Sequence, residues 1–121
     1  MELKKLGCEL SVCRIRSIKD ADLTCAPCFF ARTDEELSLV VRTELAPVNA
    51  EAREDGWLGF CIEGELDFSL IGILSKISAI LAENGIGIFA VSTFNTDYIL
   101  TKKENFDRAM SCLEKAGYTV K

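Results

Sequence analysis

The chain has 121 residues, 49% of them hydrophobic, and a net charge of −5; that is enough apolar content for one compact domain, or two small subdomains sharing a core, to hold without disulfides or a structural metal. The acidic balance, with Lys4, Lys5, Arg14 and Arg16 scattered among acids and apolar residues, argues against a nucleic-acid partner, which would gather basic residues on one face. No run reaches the roughly eighteen apolar residues of a membrane span, and Met1-Glu2-Leu3-Lys4-Lys5 lacks the apolar core of a secretory leader, so the expected location is cytoplasmic, with no membrane partner and with reduced thiols.

Histidine is absent. There is therefore no Ser-His-Asp or Cys-His constellation, no imidazole metal ligand and no side chain whose ordinary pKa lies near neutrality. Catalysis would need a carboxylate, thiol or lysine with a strongly displaced pKa. The expectation is a protein that is not an enzyme and has no cofactor.

In chain order, Leu6 to Ile15 alternates Cys8, Leu10 and Val12 against Glu9, Ser11 and Cys13, which predicts a strand. Arg16 to Ala26 is a charged, irregular stretch of eleven residues with room for a vestigial helix only. Pro27 to Thr33 and Leu37 to Arg42 predict a hairpin around Asp34-Glu35-Glu36. The polar segment Ala46 to Gly56 contains Pro47 and predicts a short second helix running into a linker. The boundary between two halves falls near Asp55, giving 1–55 and 56–121.

The second half is more regular. Trp57 to Glu63 predicts a strand with Leu58, Phe60 and Ile62 on one face and Trp57, Gly59 and Cys61 on the other. From Ser69 to Asn84 the apolar residues Leu70, Ile73, Leu74, Ile77, Ile80 and Leu81 recur at helical spacing, with Asp67 or Ser69 as cap and Gly85 as a left-handed stop. Ile86 to Thr93 and Asp97 to Thr101, joined at Phe94-Asn95-Thr96, predict a second hairpin. Lys103 to Ala116 predicts a second helix on Phe106, Met110 and Leu113, ended by Gly117 and continued by the strand Tyr118-Thr119-Val120.

The order βαββαβ predicts an α+β fold of ferredoxin-like type, an antiparallel sheet with both helices on one face. A shift of sixty residues lays Phe29 on Phe89, Ala31 on Val91, Thr33 on Thr93, Leu39 on Ile99 and Val40 on Leu100. The first half thus reads as a fainter second unit with a reduced first helix. The uncovered apolar side of such a sheet needs the other half or another copy against it.

The segments Glu65-Leu66-Asp67-Phe68-Ser69-Leu70-Ile71-Gly72-Ile73-Leu74 and Ile88-Phe89-Ala90-Val91-Ser92-Thr93-Phe94-Asn95-Thr96-Asp97-Tyr98-Ile99-Leu100 resemble an ACT domain. The chain is similar to small bacterial tandem-ACT proteins and, more distantly, to the ACT modules of aspartate kinases and of cytosolic arginine sensors. The resemblance covers Trp57 to Lys121 best. Over Leu6 to Val48 it rests chiefly on Asp34-Glu35-Glu36-Leu37-Ser38-Leu39-Val40. It implies binding of an effector, usually an amino acid, at an interface between ACT units, with output through a homodimer or a regulatory protein partner.

Gly72, expected inside the first turns of the helix, would cost about 1 kcal/mol of helix propensity there and so implies close approach of a ligand or another backbone. The N–H groups of Ser69 to Ile71 suit an α-carboxylate, and Thr96 and Asp97 can accept from an α-ammonium group, so one zwitterion would satisfy both. The candidate ligand residues are Asp67, Phe68, Ser69, Leu70, Gly72, Thr93, Thr96 and Asp97, with Glu36 and Ser38 from the first half. Each has a plainer reading: Asp67 as a cap that would repel a carboxylate, Asp97 as a turn residue, Ser92, Thr93 and Thr96 as strand residues, Glu36 and Ser38 as part of a solvated turn.

Six cysteines include Cys25-Ala26-Pro27-Cys28. With Cys8 and Cys13 this makes four thiols, but those two lie five apart on a predicted strand and would point to opposite faces, against a zinc site. The motif precedes a strand rather than a helix, against a thiol-redox role. The competing functions are a ligand-binding regulatory module, a structural or interaction protein without ligand, and a thiol-based redox protein.

Overall fold

A computed structural model describes residues 1–63 and 72–121. The elements in chain order are β1 (Glu2–Lys5), β2 (Leu10–Ile15), β3 (Phe29–Arg32), β4 (Leu37–Arg42), β5 (Ala52–Ile62), α1 (Ile73–Glu83), β6 (Phe89–Ser92), β7 (Asp97–Lys102), α2 (Lys103–Lys115) and β8 (Thr119–Val120). Short 3-10 turns lie at Ile18–Asp20 and Thr43–Leu45. The chain forms two compact units, one of Met1–Gly7 with Leu58–Lys121 and one of Cys8–Trp57. Residues 52–57 of β5 belong to the second of these and 58–62 to the first.

In the unit of Met1–Gly7 and Leu58–Lys121, strands run in the order β6-β7-β5-β1-β8. A plain βαββαβ unit pairs its last strand with its first; here β1 stands between them, antiparallel to β5 and parallel to β8. Leu3, in the middle of β1, is fully buried among Phe60, Ile62, Ile99, Ile77 and Leu113. Leu3 carries that burial alone within a strand whose other residues are exposed, so no alternation announced it.

Both helices cover this core through stripes at three- and four-residue spacing. Ile77 and Leu81 are the buried residues of α1; Phe106, Ala109, Met110 and Leu113 are those of α2. Each helix stops the same way. Gly85 and Gly117 take φ of 70° and 105°, and the next residues reach back, Ile86 N–H to the Leu81 carbonyl at 2.9 Å and Tyr118 N–H to the Leu113 carbonyl at 3.1 Å. This is the glycine-closed C-terminus in which an apolar residue past the stop packs on the last turn, and Ile86 and Leu81 both lie in the core.

The unit of Cys8–Trp57 has the order β3-β4-β2-β5, antiparallel throughout. Its core is smaller: Cys13, Ile15, Leu39, Val41 and Ala46, with Phe30, Leu37 and Leu45 against them. Fully buried Ser11 is satisfied by Asp55, whose Oδ1 lies 2.5 Å from the hydroxyl and also accepts from Arg53 Nε at 2.7 Å. The vestigial first helix corresponds to the single turn Ile18–Asp20, capped by Ser17 Oγ accepting from Lys19 N–H at 3.2 Å.

Three expectations are corrected. The strand read as Leu6 to Ile15 is shorter: Gly7 at φ 75° turns the chain, β2 begins only at Leu10, and a separate unexpected strand, β1, precedes it at Glu2–Lys5. No helix forms over Ala46 to Gly56: the turn Thr43–Leu45 precedes it and β5 begins at Ala52. Pro47 lacks a donor and Val48 is fully exposed, so that segment has no buried stripe to support a helix. Gly72 is not helical; it precedes Ile73 at φ 81° and ψ 0°, and among the described residues, its chain neighbours aside, no atom lies within 4 Å of where its Cβ would stand. The left-handed backbone is by itself a reason for glycine at this position.

Candidate functional site

The β6–β7 turn is tied by its two threonines. Thr93 N–H donates to the Thr96 carbonyl at 2.9 Å, as does the Thr93 hydroxyl at 2.9 Å, which also accepts from Thr96 N–H at 3.4 Å. Thr96 is only 8% exposed, and its own hydroxyl donates to the Ile62 carbonyl at 2.7 Å. Ile62 is the last residue of β5, so the turn is fastened to the strand end from which the chain leaves toward Gly72. Asp97 is half-buried opposite Ser92 in the ladder, and Phe94 at the tip is 75% exposed.

Thus Thr93, Thr96, Asp97 and Gly72 all lie in the unit of Met1–Gly7 and Leu58–Lys121. Asp67, Phe68, Ser69 and Leu70 lie outside the described residues. So does any capping by Asp67 or Ser69, while the residue at the cap position of α1, Gly72, has no side chain to bond with. Glu36 and Ser38 lie in the unit of Cys8–Trp57. There Glu36 N–H donates to Thr33 Oγ1 at 3.2 Å and Ser38 stands between Arg14 and Ala31 in the sheet.

The unit of Cys8–Trp57 holds a feature that the sequence pattern did not single out, an open cleft of about 420 Å³ between the end of β2 and the β3–β4 turn. Arg14, Arg16 and Arg32 line it together with Glu51 and the turn acids Asp34, Glu35 and Glu36. The arginines look scattered in sequence. Arg14 and Arg16 sit either side of Ile15, however, and period two puts them on one face of the strand end, which was the available signal.

The thiols do not converge. Among the described residues no group of three or more Cys, Asp or Glu side chains is placed to hold a metal ion. Burial pushes Cys8, Cys13 and Cys61 above the ordinary thiol pKa, which disfavours the thiolate needed for nucleophilic chemistry. Cys25 is exposed, and half-buried Cys28 directs its thiol to the Leu23 carbonyl at 3.7 Å.

Residues 52–115 match the ACT domain family. The chain belongs to that family, whose domains are regulatory and non-catalytic modules. Among solved structures, a protein from Agobacterium tumefaciens is 31% identical, with a TM-score of 0.89 over 99% of this chain and 91% of that one. An aspartokinase of alpha and beta subunits is 16% identical, with a TM-score of 0.67 over 96% of this chain and 97% of that one. The aspartate kinase of Clostridium acetobutylicum, described as an allosteric enzyme, is 14% identical, with a TM-score of 0.58 over 94% of this chain and 33% of that one. The two kinases share the fold. No curated protein matches the sequence. Among the described residues no helix is long and apolar enough to cross a membrane.

Proposed function

We propose that this protein is a non-catalytic regulatory module of two ACT-like halves, 1–55 and 56–121, that binds a small zwitterion, an amino acid, and acts through a homodimer or a protein partner. The ligand would lie between the β5–α1 connection, carrying Asp67, Phe68, Ser69 and Leu70, and the turn carrying Thr93, Thr96 and Asp97. The supporting observation is the hydrogen bond from Thr96 to the Ile62 carbonyl at 2.7 Å, which joins the turn to the end of the strand that opens that connection. Likeness in fold to the Clostridium acetobutylicum aspartate kinase, described as an allosteric enzyme, is consistent with effector binding. An allosteric role requires the ligand to bind one assembly state better than another.

The test is thermal unfolding with each of the twenty amino acids. A ligand at about one hundred times its Kd stabilises the native state by about 2.7 kcal/mol, roughly a 10 °C rise in a domain of this size. Asp97→Asn should remove the rise, and sedimentation should show the assembly change on addition of the same amino acid. A second reading, an interaction protein without ligand, draws on the turn itself: the Thr93 and Thr96 hydroxyl protons are already donated within the protein. Absence of any stabilisation at saturating amino acid, with native folding intact, would favour it.

A further inference from the structure

We propose that Cys25 and Cys28 are a reversible modification site: Cys25 reacts with a small disulfide such as oxidised glutathione, and Cys28 resolves the product into a Cys25–Cys28 disulfide. The pair lies in the unit of Cys8–Trp57 and shares no residue with the β6–β7 turn. The site therefore stands independently of the ligand reading.

The loop that leads into β3 is folded for this chemistry. Its start is held by Asp22, whose Oδ1 accepts from Thr24 N–H at 3.0 Å. The chain then bends at every residue from Thr24 to Pro27. Cys28 turns back on the loop, with its thiol 3.7 Å from the Leu23 carbonyl. Between the two cysteines, the Ala26 carbonyl accepts from Arg42 Nε at 2.9 Å, which ties the bend to the end of β4. Drawn out straight, three steps of chain would hold the two Cα atoms about 10 Å apart. A disulfide needs less than about 7 Å, and a bend through the intervening residues shortens that span.

The two thiols differ in their surroundings. Cys25 is exposed and open to a solute. Cys28 is half-buried and packs, as Ala21 does, against the core that holds Cys13, Leu39 and Val41, so a bulky reagent meets Cys25 first. An accessible thiol beside a resolving partner is the arrangement of reversible thiol oxidation. Cys8, Cys13 and Cys61 are held back, because burial pushes each above the ordinary thiol pKa. Among the described residues no third Cys, Asp or Glu joins the pair to hold a metal ion. Nor does a helix begin at Cys25 to activate it as a catalyst of exchange. The pair is thus a target of oxidation on a regulatory module, not an oxidoreductase centre.

The exchange balances. Cys25 gives up its proton and attacks one sulfur of oxidised glutathione; the glutathione disulfide bond breaks and one glutathione leaves as thiolate. Cys28 then gives up its proton and attacks the Cys25 sulfur, and the bond from that sulfur to the second glutathione breaks. The two departing thiolates take up the two protons. Two cysteines are oxidised by two electrons, and one disulfide is reduced to two thiols.

The experiment incubates the full chain with oxidised glutathione, quenches with acid, alkylates the remaining thiols and digests with trypsin for mass analysis. The peptide Asp20–Arg32 holds Cys25 and Cys28 and no other cysteine, while Leu6–Arg14 holds Cys8 and Cys13 as an internal control. Asp20–Arg32 should appear unalkylated and lighter by two hydrogens, at least about tenfold faster than Leu6–Arg14 is oxidised. Dithiothreitol should restore it. Cys28→Ser should stop at a glutathione mixed disulfide on Cys25, and Cys25→Ser should leave Cys28 largely free. A pair that stays reduced in excess oxidised glutathione, a link from either cysteine to Cys8, or equal oxidation of Leu6–Arg14 would overturn the proposal. So would a mixed disulfide that forms as readily on Cys28 in Cys25→Ser as on Cys25 in Cys28→Ser.

Discussion

Each compact unit contains one hairpin of the same dimensions, but the two hairpins lead into different structures. β3 and β6 are four residues long, β4 and β7 six. Phe29 faces Val40 as Phe89 faces Leu100, and both turns close through a threonine at the same position. β7 then enters the thirteen-residue α2, whereas β4 enters a three-residue 3-10 turn. After Lys102 an apolar stripe of Phe106, Ala109, Met110 and Leu113 waits to be buried; after Arg42 come Pro47 and a wholly exposed Val48. A few turn residues suffice for a hairpin, but a helix needs a continuous face to bury.

The sharpest way to break this comparison is through the two cores. Phe60→Ala should cost about 3–5 kcal/mol in urea unfolding, and Leu39→Ala about 2–3 kcal/mol, because the smaller cluster around Leu39 has fewer neighbours to strand around a cavity. Equal losses would mean the smaller core is packed as rigidly as the larger. Next come the turns. Thr96→Val removes the donor to the Ile62 carbonyl and should cost about 1–3 kcal/mol, with Thr96→Ser keeping most of it, while Glu36→Thr should stay within about 0.5 kcal/mol. A neutral Thr96→Val would show that the bond does not hold the turn.

The smallest effect concerns two ion clusters of opposite design. Lys121 Nζ lies 2.5 Å from Glu2 and 3.0 Å from Glu63, one cation between two carboxylates; Glu51 lies between two guanidiniums. The hydrogen bond and charge of Lys121 hold the Glu2 carboxyl below its ordinary pKa. A depressed carboxyl stabilises the native state above its unfolded pKa and loses that contribution as pH falls through the native value. Melting scans from neutral to acid pH should therefore decline less steeply for Glu2→Gln than for the parent. All these groups are substantially exposed, so the difference should shrink with added salt.

Periodicity exposed α2, both glycine stops and both hairpins, since each is a local pattern of apolar or turn residues. It did not expose β1, whose one buried residue, Leu3, gives no alternation. Nor did it expose the first half of β5, where Ala52 to Asp55 are charged or small and exposed; pairing with β2, not burial, makes them a strand. Gly72 was placed one turn too deep because a left-handed glycine and a helical one look alike in sequence. The arginine cleft was missed for a related reason: Arg14, Arg32 and Glu51 are far apart in the chain, and only the sheet gathers them.

The position of β1 bears on how this protein reaches its native state. Leu3 pairs with Ile62 of β5 on one side and with Val120 of β8 on the other, so each of those strands gains its β1 neighbour only when a long stretch of chain closes. Contacts of such range slow folding, and a fragment holding only residues 52–115 would lack both strands on that flank of β5. The stretch that carries the family resemblance is therefore not a self-sufficient piece, and its sheet is completed by a strand that is synthesised before it.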